Sequence, residues 1–392
     1  MLAGAGVASS LALFAAAVGA RPSGQLDGLF SAADKAVSEA AEHLRIASLV
    51  QSLSLEQKVA QLFVIRPEAL VGTGPVISVD DALRDALLGC PVGGLVLFDD
   101  NVQDPEQVRS LNADLQSLSN EACGLPLFVC VDEEGGTVTR VSDKAAFGVE
   151  KPQDMSALAA EHGVDFAKQE GERIGSYLAD LGFNLDFAPD ADVCDDPDNF
   201  IYLRSFGGDP EVVGSYVSAM VSGFRASGTL CCVKHFPGIG HADGDSHTED
   251  IFINKKLEEL MGCELLPFKA AVEAGVDLVM VGHGVYSELD SSPASLSRVI
   301  VSNILRGDLS YGGLVITDAL EMASVSDHFS SSEVGVRALD AGCDLILTPV
   351  QFLAAFNGVV DAVREGRLSE KRIDESVTRV VRAKLRLMAG QA

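Results

Sequence analysis

Basic residues are scarce in this chain of 392 residues: 29 Lys and Arg stand against 57 Asp and Glu, a formal charge of −28 at pH 7. That balance argues against a nucleic-acid partner, because phosphate recognition depends on clustered Lys and Arg. It favours solubility, and it would meet an acidic substrate with a repulsive long-range field. Zinc and thioredoxin signatures are also missing. Eight cysteines occur without the spacing either would need, and Cys130, Cys231, Cys232 and Cys343 lie inside apolar runs. Cys231 and Cys232, adjacent on a strand, would face opposite sides and are poorly placed to bridge. Buried free thiols are therefore expected, with no disulfide framework. Low-complexity composition is absent as well. A hydrophobic share of 47% with 38 glycines suits a large packed core with many tight turns.

Met1 to Ala20 carry no charge, and Val18-Gly19-Ala20 supplies small residues for a signal-peptidase cut, although no Lys or Arg precedes the apolar stretch. We read residues 1–20 as an export signal, which would place the protein outside the cell or on its surface. The same stretch is nearly long enough to remain as a membrane anchor, and an ordinary cytoplasmic start is the remaining alternative. Residues 21–50 read as a linker and lead-in helix, with Ala36, Ala40, His43 and Ile46 at helical spacing. Residues 51–392 read as a single catalytic domain.

Within that domain eight short apolar runs recur, at 59–65, 93–98, 127–132, 183–188, 230–235, 278–282, 314–318 and 343–348. Between them lie segments long enough for helices, such as 105–118 and 256–274, and residues 373–388 read as a closing amphipathic helix. Alternating strands and helices of this number predict an α/β fold, a (β/α)8 TIM-type barrel. Chemistry in such a barrel sits at the carboxyl ends of the strands. The polar residues there are Asp132, Glu133 and Glu134; Asp190 and Asp192; Lys234 and His235; His283; and Asp318, and they should converge on one mouth.

The densest stretch runs from Lys234 to His247, a glycine-rich loop with three of the seven histidines. It lacks the dinucleotide fingerprint, so its glycines are read as letting backbone fold close to a ligand. Asp245-Ser246-His247 sets a carboxylate two residues from an imidazole. The Asp can hold one ring nitrogen and leave the other to donate and recover a proton near neutral pH. Local backbone capping would explain an isolated Asp-x-His equally well. Asp318 ends the seventh run, where a carboxylate faces the mouth. Retaining glycoside hydrolysis needs a carboxylate to attack the anomeric carbon and a second group to serve as acid and base.

Several motifs in one order then identify a family. The chain resembles glycoside hydrolase family 3 from about Ser54 to Met388, and within it the bacterial N-acetyl-β-glucosaminidases of peptidoglycan turnover. The resemblance rests on Asp132-Glu133-Glu134-Gly135-Gly136, Asn184 through Asp192, Arg204-Ser205-Phe206, Lys234-His235-Phe236-Pro237-Gly238, Asp245-Ser246-His247, Pro293-Ala294-Ser295-Leu296-Ser297 and Thr317-Asp318. It implies Asp318 as nucleophile, Asp245 with His247 as the acid and base dyad, and Asp132, Arg204, Lys234 and His235 as residues that hold sugar hydroxyls. It implies a carbohydrate substrate containing N-acetylglucosamine, and neither cofactor nor metal. Ile239 and His241 depart from the usual His and Asp of the family loop, Thr137 from a common Arg, and Asp190 from a usual apolar residue.

Three other functions compete. Phosphorolysis at the same site fits an imidazole base, which is neutral when it accepts a proton. A sugar-binding barrel without catalysis would accommodate Ile239 and His241. A metal-dependent hydrolase would use His235, His241, Asp243 and His247, although these ligands would come almost entirely from one loop.

Overall fold

The computed structural model describes residues 24–242 and 251–389. The chain divides into two compact units, Met1–Ser52 and Leu53–Ala392. The described part of the first is one helix, Gly24–Ser52. Residues 1–20, with the expected export signal, lie outside the described residues. No described helix is long and apolar enough to cross a membrane.

In the second unit eight strands form one parallel sheet: β1 (Phe63–Ile65), β2 (Gly94–Val96), β3 (Phe128–Val131), β4 (Leu185–Asp186), β5 (Leu230–Phe236), β6 (Leu278–Val281), β7 (Leu314–Thr317) and β8 (Ile346–Leu347). From β1 to β7 each pairs with the next, and β8 pairs with β1. A parallel bridge between Ile316 and Leu345 joins β7 to the lead of β8 and brings the ring round to its start. All eight expected runs thus carry a barrel strand. They are legible because strands of a barrel wrapped by helices are covered on both faces and read as unbroken apolar runs.

The helices between them are set by local signals. Asp104-Pro105-Glu106 opens α1 (Pro105–Cys123), and Asp209-Pro210-Glu211 opens α2 (Pro210–Ser227). In each, the Asp carboxylate accepts two backbone N–H groups of the first turn, the proline occupies a position that needs no donor, and a glycine closes the helix at φ 70° or 81°. The last helix, α3 (Glu370–Met388), is capped by Ser369.

Two expectations need correction. The first apolar run begins in a helix: Ser54 and Gln57 form a capping box that starts Leu55–Ala60, so Val59 and Ala60 are its buried face rather than strand. The segment 256–274 is two helices, Leu257–Gly262 and Leu265–Ala274, separated where Cys263 leaves helical geometry at φ −141° and ψ −86°. All eight cysteines are free. Cys231 and Cys232 are both buried.

Candidate active site

The carboxyl ends of the strands frame a cavity of about 260 Å3 lined by Arg66, Phe98, Asp132, Glu134, Arg140, Phe187, Arg204, Lys234, His235, Asp318, Glu321 and neighbouring apolar side chains. Five of the seven site residues expected from sequence therefore meet in one place: Asp132, Arg204, Lys234, His235 and Asp318. The other two, Asp245 and His247, lie in 243–250, outside the described residues.

Lys234 and His235 reach this cavity because β5 loses register against β6 between Val233 and Phe236. An irregularity of this kind re-aims side chains beside it. Lys234 Nζ lies 2.8 Å from Asp132 Oδ1 and 2.6 Å from Glu134 Oε1. Arg204 grips the same Glu134 with two bonds of 2.8 Å, from Nε to Oε2 and Nη2 to Oε1. Burial alone would raise Glu134, but Arg204 and Lys234 outweigh it and hold this carboxyl well below the usual range. Burial likewise acts to neutralise Lys234 and Arg204, and the surrounding carboxylates overcome it, so both stay charged.

Asp192 anchors the other side. Its Oδ2 lies 2.7 Å from His235 Nδ1, and its Oδ1 accepts the Ile239 N–H at 2.7 Å. His235 Nε2 lies 3.3 Å from Arg204 Nη2. Since an arginine only donates, Nε2 accepts there and Nδ1–H donates to Asp192. Burial lowers His235 to about 4, which keeps this ring neutral, and raises Asp192 to about 6. With both nitrogens engaged, His235 orients Arg204 toward the cavity. Asp190 supplies a further carboxylate, accepting the Asp192 N–H at 2.8 Å and standing 3.5 Å from Arg204 Nη2. The unusual Asp190 thus belongs to the buried support of Arg204, and Ile239 is buried on Asp192.

Asp318 follows β7 directly. Its N–H donates to Val281 O at 2.8 Å, and its Oδ1 accepts the Ala319 N–H at 2.7 Å. Burial pulls Asp318 upward, yet His235, His283, the Ala319 amide and Lys234 together hold it below the ordinary carboxylate value. His283 sits beneath this turn, Nδ1 2.8 Å from Ser295 Oγ and Nε2 3.0 Å from Ala319 O. It braces the turn through the Ala319 carbonyl.

Glu133 points elsewhere. It accepts the N–H groups of Arg140, Val141 and Ser142 and the Tyr177 hydroxyl, tying the loop after β3 to the helix Val164–Asp180. Sequence reasoning also missed Arg66 and Glu321, which pair at 2.6 Å at the cavity, with the Arg66 guanidinium 3.8 Å above the Phe98 ring. Arg66 directly follows the first apolar run, so the strand-end criterion applied to Asp132 and Asp318 would have found it. The cavity lining holds four cations, Arg66, Arg140, Arg204 and Lys234, and four carboxylates, Asp132, Glu134, Asp318 and Glu321. The sum is neutral.

The histidines suggested as metal ligands do not share one cluster. His235 groups with Asp190 and Asp192, whereas His241 groups with Cys263 and Glu264; Asp243 and His247 lie outside the described residues.

The glycosyl hydrolase family 3 N-terminal domain matches this chain over residues 54–383. The chain belongs to glycoside hydrolase family 3. Among the proteins it resembles, beta-hexosaminidase A of Pseudoalteromonas piscicida is 33% identical over 325 residues, covering 77% of this chain and 54% of that protein. Beta-hexosaminidase LpqI of Mycobacterium tuberculosis is 39% identical over 270 residues, covering 66% and 68%. A solved structure of a family 3 beta-N-acetylglucosaminidase from Paenibacillus superposes with a TM-score of 0.81 at 37% identity, covering 87% of this chain and 64% of that one. This family 3 chain therefore spans just over half the length of the Pseudoalteromonas relative and just under two thirds of the Paenibacillus one.

Proposed function

We propose that this protein is a retaining glycosidase that removes terminal β-linked N-acetylglucosamine through a covalent glycosyl-enzyme. The observation that carries the reading is Asp318: an anionic carboxylate at a strand end, held by a backbone N–H, opening onto a neutral cavity walled by Asp132, Arg204 and Lys234. A nucleophile must be ionised, and an uncharged sugar is matched by a lining whose charges cancel. A volume of about 260 Å3 falls just below the range of roughly 300–1,000 Å3 for small-ligand pockets, which suits one sugar ring.

In this mechanism Asp132, Lys234 and Arg204 offer acceptors and donors in fixed directions to ring hydroxyls, with Glu134 and His235 setting their orientation. Asp318 attacks the anomeric carbon while the dyad Asp245/His247 protonates the departing oxygen. The same imidazole then takes a proton from the water that releases the sugar. The names of the beta-hexosaminidase relatives support N-acetylated sugars as substrates. The uncharged stretch Met1 to Ala20 supports export, where the reaction would serve peptidoglycan turnover.

A panel of aryl glycosides differing at the second carbon of the sugar, assayed with and without millimolar phosphate, tests the reading. We expect turnover confined to the N-acetylated sugars, with free sugar as product. Faster formation of sugar 1-phosphate would replace hydrolysis with phosphorolysis, and binding without turnover of any glycoside would reduce the protein to a lectin-like barrel.

A further inference from the structure

The junction between the helices Leu257–Gly262 and Leu265–Ala274 packs on Gly238 in the chain leaving β5, at residues that do not line the sugar cavity. His241, Cys263 and Glu264 come together there, with one ligand atom of each within 4.8 Å of the others. Three different donors, an imidazole, a thiol and a carboxylate, are a combination that suits zinc. Glu264 is only 2% exposed. Its Oε1 is occupied, 3.0 Å from His241 Nδ1 and in contact with Lys255 Nζ, but its Oε2 is buried with no hydrogen-bond partner among the described residues. A buried carboxylate oxygen left without a partner costs free energy that a cation would recover.

We propose that His241, Cys263 and Glu264 form a binding site for a zinc-class divalent cation, distinct from the sugar site. Zinc bonds of about 2.0–2.3 Å place ligand atoms closer together than 4.8 Å, so a small inward movement completes the site. Cys263 sits at the break between two helices, and His241 is one-third exposed, so both side chains are placed to make it. Glu264 contributes Oε2, and the exposed side of the cluster leaves room for water as a fourth ligand. Cys263 binds as thiolate, releasing its proton to solvent on coordination. Because that proton must leave before the thiolate binds, affinity should increase with pH. Lys255 competes for Glu264, because its ammonium rests on the same carboxylate.

The test is titration of the full-length, reduced and chelator-stripped protein with cobalt(II), followed by displacement with zinc. We expect one equivalent to produce a near-ultraviolet thiolate-to-cobalt charge-transfer band that zinc abolishes. Cys263→Ser should remove the band, and His241→Ala should weaken binding at least about tenfold. Lys255→Met should tighten it, a gain that no purely structural role of Lys255 would produce. Circular dichroism establishes that the variants are folded, and the partly exposed positions of His241 and Cys263 favour that. Absence of the band in the wild-type protein, its persistence in Cys263→Ser, or unchanged affinity in Lys255→Met would overturn the proposal.

Discussion

The two ends of the barrel use the same chemistry to opposite ends. At the floor, Asp344 is fully buried and gathers Arg306 at 2.6 Å, Arg379 at 3.0 Å, the Ser376 hydroxyl at 2.6 Å and the Val315 N–H at 3.1 Å, with Arg372 at 3.9 Å. Arg306 and Arg372 place their remaining N–H groups on the carbonyls of Gly342, Gly313, Leu339 and Cys343. Both oxygens of Asp344 are engaged, while Arg306, Arg372 and Arg379 also line a cavity of about 500 Å3 on this side. At the mouth, Glu134 is also buried under two cations, but the cluster continues into Asp132, Lys234 and Arg204, whose outer faces line an open cavity. The floor cluster fastens the π-helix Val299–Asp308 and α3 to the sheet. The mouth cavity sets four cations against four carboxylates, a balance that suits an uncharged ligand. Ionic clusters at the two ends of one fold are told apart by charge balance, since the floor cavity is lined by six cations against two carboxylates and the mouth by four against four.

The largest expected effect falls on the mouth. Asp318→Ala should lower turnover of aryl N-acetyl-β-glucosaminides on the order of 10^4-fold or more, while denaturant unfolding stays near wild type. Activity within tenfold would remove Asp318 as nucleophile. His247→Ala should cost about 10^2 to 10^4-fold on substrates with poor leaving groups and much less on activated aryl groups; equal losses across leaving groups would deny it a proton-transfer role. The floor should respond in the reverse sense. Asp344→Ala strands three guanidiniums and should lower unfolding free energy by about 3–5 kcal/mol, with KM of the folded fraction unchanged. A KM that moved as much as stability would erase the distinction between the two ends.

A smaller effect sharpens it. Lys384 of α3 is fully buried against Gln61 Oε1 at 2.7 Å, and burial lowers it to about 8. Its unfolded value is 10.5, so between pH 8 and 10.5 the unfolded chain binds more protons than the folded one. Stability from this group therefore rises with pH through that window and is at its lowest below pH 8. Relative to Lys384→Met, the wild type should gain up to about 3 kcal/mol between those pH values, read from paired denaturant melts. A constant difference would mean that Lys384 keeps its ordinary value and stays charged in the folded protein through this window.

The barrel was legible because its strands are covered on both faces, so apolar runs marked all eight. The misread edges have a physical cause. Val59 and Ala60 are the inner face of a helix that abuts β1, and a buried helix face continues an apolar run without a break. The helix break at Cys263 is a matter of one backbone geometry that periodicity does not register. In the site, Asp132, Lys234 and Asp318 were legible from strand ends, and Arg204 from the family motif alone. The grip of Arg204 on Glu134 spans 70 residues, and that of His235 on Asp192 spans 43. Such pairs are created by folding, so only coordinates reveal that His235 serves Arg204.

The cavity's charge balance has a consequence for kinetics. A lining of four cations and four carboxylates is set in a chain of charge −28, so the destination is electrically silent while the approach is not. Added salt shortens the reach of the outer field to about 8 Å at 0.15 M and should leave kcat/KM of uncharged glycosides nearly constant. For a glycoside whose leaving portion is anionic, the same salt should speed capture. Ionic strength would then act as a selector among substrates that share one sugar, without altering how that sugar is held.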